Sequence, residues 1–229
     1  MKHRIACLLG LNLCLLLGVD SLCCAATYRV EPLEEAASSA GLAPEISDQL
    51  SPVGSRIIRG KKTTYCDFWL LKSWSVKKGF QATAEVLYPF QTGQLVGVVR
   101  FSRKGADFRD QDIAKGVYTL RYALQPLDGS HIGTSPTRDF LLLVRAEDDQ
   151  LAGSLAEDDL TTQSAQAAES SHPCMLSLQR VVSPATTTPG LRHNEEQDWW
   201  ILSLEGELKA ADVRSRQSID MVIVGQASE

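Results

Sequence analysis

The 229-residue chain carries 23 Lys and Arg against 28 Asp and Glu, a formal net charge of −5, and 44% of it is hydrophobic. That balance lacks the basic footprint of a nucleic-acid-binding protein, and the length suits one sizeable core or two small ones. Charge is segregated along the chain: residues 56–122 hold thirteen basic and five acidic side chains, residues 123–229 seven and seventeen. The pattern predicts that the acidic half docks beside the basic half in one fold, with an anion-binding patch as the alternative.

Residues 1–26 read as a signal peptide. Lys2 and Arg4 make a basic start, residues 5–19 a leucine-rich run too short to span a bilayer comfortably, and Ala25-Ala26 a small-residue cleavage site. Cleavage near Ala26 would leave an exported chain, periplasmic or secreted, with no membrane-spanning stretch. Of six cysteines only Cys66 and Cys174 remain in it, one possible disulfide in an oxidising compartment. Buried free thiols are the alternative.

Residues 27–55 are acidic and alanine-rich, and Pro44 followed by Glu45 predicts a short helix there. Ile57-Ile58, Gly60-Lys61 and residues 63–71 read as a hairpin, Cys66, Phe68 and Leu70 sharing one face. Residues 82–88 are a further strand candidate, ended by Pro89. Residues 95–101 (LVGVVRF) form a strong one, and residues 102–116 a charged loop. In GVYTLRYAL, Tyr118, Leu120, Tyr122 and Leu124 alternate with Thr119, Arg121 and Ala123, which predicts a half-buried strand. Pro126 and Asp128-Gly129 end it, and DFLLLV follows as a buried partner.

Residues 146–171 hold seven acids and no base; Ser154 and Glu157 fit a capping box, predicting an exposed helix to about Ala168, against an acidic linker. Strands are expected over residues 174–182, 199–204 and 219–224. The sum is an all-β, single immunoglobulin-like β-sandwich of about eight or nine strands spanning residues 56–229, with short peripheral helices.

Motifs for chemistry are sparse. Gly129-Ser130-His131-Ile132-Gly133 lacks the spacing of a nucleophile elbow, which ranks a hydrolase last. Asp107, Asp110 and Asp112 match no calcium loop, and Arg103, Lys104 and Arg109 would oppose a cation. Copper or zinc is the alternative to a cofactor-free protein, with Asp128, His131 and His172 as candidate ligands. Adjacent aromatics, Phe68-Trp69 and Trp199-Trp200, are expected in the core rather than on a sugar-binding face.

GVYTLRYALQPLDGSHIG, RDFLLLV and the segments LVGVVRF, YCDFWL and HPCMLSL resemble a family of uncharacterised exported bacterial proteins. The resemblance implies export and a β-rich fold and supplies no site residues. Residues 116–120 with Asp128-Gly129 are also similar to the last hairpin of CopC-type periplasmic copper-resistance sandwiches. Because Ser130 intervenes before His131, that likeness implies the topology without the copper ligand set. The expected function is a monomeric, non-catalytic binding or envelope-associated module, its partner an envelope protein or a small ligand, contacted through residues 128–138.

Overall fold

The computed structural model describes residues 27–76, 78–128, 135–182 and 187–227. Thirteen strands and two helices follow in chain order: β1 (Tyr28–Leu33), α1 (Pro44–Ser47), β2 (Gly54–Arg59), β3 (Thr63–Leu70), β4 (Trp74–Ser75), β5 (Leu95–Phe101), β6 (Gly105–Ala106), β7 (Asp112–Ile113), β8 (Gly116–Leu124), β9 (Asp139–Arg145), α2 (Glu157–Ala167), β10 (Met175–Gln179), β11 (Gly190–Asn194), β12 (Trp199–Ala210) and β13 (Val213–Val224). The all-β class matches the sequence expectation. The architecture is one curled sheet in the order β1-β2-β3-β5-β8-β9-β10-β13-β12-β11, with β4 attached to β12 and β6-β7 a separate small pair. No helix among the described residues is long and apolar enough to cross a membrane.

β10 is the joint of the sheet. Its first half, Met175 to Ser177, pairs with β9; its second half, Leu178 and Gln179, pairs with β13. A strand that changes partner midway turns a corner, so the two halves of the sheet face each other. The far ends then meet, β1 lying beside β11 with the Tyr28 ring 5.3 Å from Trp200.

The alternation in β8 decides what faces the interior. Tyr118, Leu120 and Tyr122 are fully buried there, opposite Val99 and Gly97 of β5 and Leu143 and Leu141 of β9. The same row continues as Leu141–Leu176 and Leu178–Met221–Leu202 around the curl. Each of these large side chains contributes about 1.5–3 kcal/mol by leaving water.

The opposite face of β8 departs from the expectation of a half-exposed strand. Thr119 and Arg121 are fully buried, because residues 146–155 fold over them. Every N–H of the Arg121 guanidinium is used. Nε and Nη2 donate to Asp149 at 2.6 and 2.7 Å, Nη1 donates to the Gly93 and Gly153 carbonyls at 2.7 Å, and Nη2 also donates to the Leu151 carbonyl. This fixes the chain that leads into α2, whose Leu160 packs with Phe140, Leu142 and Val144 on the outer face of β9.

Other sequence expectations need correction. The 27–55 segment contains a strand, β1, as well as the short helix that begins at Pro44. Residues 82–88 form no strand: the buried Asp139 carboxylate accepts the Leu87 and Tyr88 N–H groups at 3.1 and 3.2 Å, holding them as a loop. The capping box is not made, since α2 starts after Ala156 with no side-chain cap. The last hairpin is longer than expected, β12 and β13 each running twelve residues.

Two outcomes follow from the buried polar groups. Arg121→Met leaves Asp149 buried and unpaired and should cost about 3–5 kcal/mol in urea denaturation, with Arg121→Met/Asp149→Leu recovering much of the loss. Burial, against its hydrogen bonds to Tyr122, Leu87 and Tyr88, raises the pKa of Asp139 above the ordinary 3.8. The folded state therefore holds the proton to higher pH than the unfolded chain, and that contribution to stability is lost as pH rises through the raised pKa. Relative to wild type, Asp139→Asn should be more stable near about pH 7 than near about pH 3.5, measured by denaturant titration at each pH.

Candidate functional site

An opening of about 530 Å³ lies where the two halves of the sheet fail to close. Its position follows from β12. On the side away from β13, β12 pairs with β11 along Trp199 to Ser203 and with β4 at Leu208 and Lys209. Among the described residues, no strand register includes residues 204–207 on that side. β11 begins only at Gly190, one residue after Pro189, which has no N–H with which to extend the ladder.

The cleft is walled by Ser51, Val53 and Ser55 on one side and by residues 204–207 on the other. Phe68, Leu70 and Leu204, buried members of the interior core, make its floor. Charges line the rim in satisfied pairs: Arg216 lies 3.1 Å from Glu205, Arg214 donates to Glu207 at 2.6 Å, and the Lys72 ammonium donates to the Asp48 carbonyl at 2.6 Å. An apolar floor under a polar wall offers a molecule both shape and hydrogen-bonding contacts.

The buried carboxylates are held by donors inside the fold. Asp67 receives Arg56 and Arg100 at 2.7 Å each, one from either neighbouring strand. Asp107 accepts the N–H groups of Arg109, Gln111 and Met175 and the Gln111 amide; desolvation nonetheless raises its pKa. Asp220 accepts from Ser203 and Arg192. Asp107 is thus a loop lock, Asp112 pairs with Lys104 at 2.6 Å, and neither joins a cation cage.

The residues singled out by sequence fall elsewhere. His131 and Ser130 lie outside the described residues, and Asp128 is the last described residue before them. His172 is exposed, its Nδ1 3.1 Å from Ser171 Oγ, at the mouth of a separate pocket of about 230 Å³ floored by Phe140, Leu142 and Leu160. His193 pairs with Asp198 at 2.8 Å and stacks on Trp200. No group of three or more metal-binding side chains occurs among the described residues.

Cys66 and Cys174 are both buried and both free, which corrects the expected disulfide. One lies on β3 and the other just before β10, and both belong to the interior core. Burial, then the charge of Asp67 for one and Asp107 for the other, pushes both thiols well above their usual range.

Sequence reading missed the cleft because it ended β12 at Leu204. The signal was present in the hairpin that follows, where Glu205 and Glu207 face Arg216 and Arg214 across the Ala211-Asp212 turn.

No family model, curated protein or solved structure matches this chain.

The thiol geometry has a direct readout. Without reductant, a thiol-reactive dye should label neither cysteine in the native protein and both after denaturation. Labelling of neither in denaturant would establish a bridge.

Proposed function

We propose that this protein is an exported, non-catalytic binding module, an immunoglobulin-like sandwich in which the two halves of the curled sheet act as the layers. Its ligand seats in the cleft between β11 and β4. The observation that carries this reading is the concavity itself: apolar Phe68, Leu70 and Leu204 lie beneath an interrupted strand edge. The satisfied state of the buried carboxylates supports it further, because Asp67, Asp107, Asp139, Asp149 and Asp220 all serve as anchors for neighbouring loops and strands. Export rests on the basic, leucine-rich, small-residue order of residues 1–26.

Mapping by amide NMR with a fragment library tests the site. Binders should shift resonances of residues 51–55 and 204–207 together, and a Thr188→Arg change at the mouth should weaken them about tenfold. Shifts confined to the pocket at His172, or binding lost only on His131→Ala with stoichiometric copper or zinc in untagged protein, would move the function away from the cleft.

A further inference from the structure

We propose that the occupant of the cleft is an extended peptide, which adds to β12 as a strand filling the gap between β11 and β4. The inference rests on the cleft being the binding site and adds the chemistry of the ligand, which the main chain of β12 specifies.

In a strand, the N–H and C=O of one residue point to the same side and those of the next to the other. Two contacts fix the sides here. The Lys209 carbonyl accepts the Val76 N–H at 3.0 Å, so Lys209 turns its main-chain groups toward β4. At the other end, the Asp220 N–H donates to Tyr88 Oη at 3.1 Å, away from β12. Ser203, directly opposite Asp220, must therefore turn its own groups away from β13, toward β11. Residues 203 and 209 share a parity, and the one register shift in this ladder lies earlier, at Trp200 and Ile201. Glu205 and Glu207 thus turn their main-chain groups to this side. The parallel register of Leu208 with Trp74, Lys209 facing β4, sets the Trp74 N–H on the Glu207 carbonyl, so the groups left facing the cleft are the Glu205 N–H and C=O and the Glu207 N–H.

Donors and acceptors repeating every second residue, about 6.8 Å apart along an extended chain, match another extended backbone. Residues directly opposite one another share a face of the sheet. A peptide residue opposite Gly206 would point inward over Phe68 and Leu70 and is expected to be apolar. Its two neighbours would lie outward beside Glu205 and Glu207 and are expected to be polar or basic. The occupant is accordingly a short segment of polar-apolar-polar pattern from a partner protein.

A displayed library of random nonapeptides, selected on the whole protein and counter-selected on Glu205→Pro, supplies the probe. Proline at this position removes a cleft-facing N–H and leaves the β13 ladder intact, and Glu205→Ala, which keeps the N–H, controls for loss of the carboxylate beside Arg216. Selected peptides, made synthetically, should carry the alternating pattern, shift the resonances of residues 204–207, and bind Glu205→Pro at least about tenfold more weakly. An N-methyl scan of the peptide on wild-type protein decides the mode even if that variant does not fold. Methylation should abolish binding at alternate residues and be tolerated between them. A loss without period two, or peptides that map outside residues 204–207, overturns strand addition. Failure of all peptides while fragments still occupy the cleft overturns the peptide ligand and leaves the binding module standing; failure of both removes the two readings together.

Discussion

Trp74 sets the distance between the two halves of the sheet. Its indole N–H donates to the Val96 carbonyl of β5 at 2.8 Å, while the ring lies under Gly206 of β12, where a Cβ would stand 2.3 Å from Cη2. The ring is fully buried and stacks edge-on to Phe90 at 5.2 Å. One side chain thus ties β5 to β12 across the interior, and the residue that would crowd it has to be glycine. The same anchoring lays Trp74 and Ser75 alongside Leu208 and Lys209 as β4, which bounds the cleft at one end.

With the interior filled, the outer face raises a second problem. A ten-strand path buried on one side only would leave apolar residues of β9 and β13 in water, and Phe140, Leu142, Val144 and Val222 are covered instead by Phe108, Leu155 and Leu160 from loops and α2. Loops and a single short helix have little apolar surface with which to grip a sheet. The grip comes from buried ion pairs and carboxylate anchors, of which Arg121–Asp149 is the most enclosed. Such anchors contribute little net free energy against well-packed apolar substitutes, but they define one position for each loop. Their abundance explains how much charge is buried in a chain of ordinary composition.

The legible parts of the sequence were those whose burial is one-sided or complete by local pattern. The β2–β3 hairpin around Gly60 and the alternation of β8 followed from period two and turn chemistry alone. The same alternation misled about Arg121, since a lone arginine among polar neighbours reads as solvent-facing, and its five acceptors lie up to 32 residues away in sequence. β1 and β11 escaped notice because edge strands need no apolar run: Tyr28–Leu33 alternates with arginine and glutamate, and Gly190–Asn194 is largely polar. The cleft was hidden for a related reason. It is made by an interruption of pairing, and the absence of a partner strand leaves no periodic mark on the strand that lacks it.

An open strand edge is ordinarily a hazard, because it pairs with any other edge it meets. Here the exposed stretch is only residues 204–207, shorter than a typical strand, and it is flanked by Pro189 and by the turn from Lys72 into β4. Glu205 and Glu207 stand beside it with Arg216 and Arg214, so a second copy approaching edge to edge would bring like charges opposite one another. On the proposed reading, a narrow gap between fixed neighbours would admit a single extended chain and refuse a sheet. That combination would separate a recognition edge from an aggregation-prone one, and it would place the selectivity in the length of the interruption rather than in any one side chain.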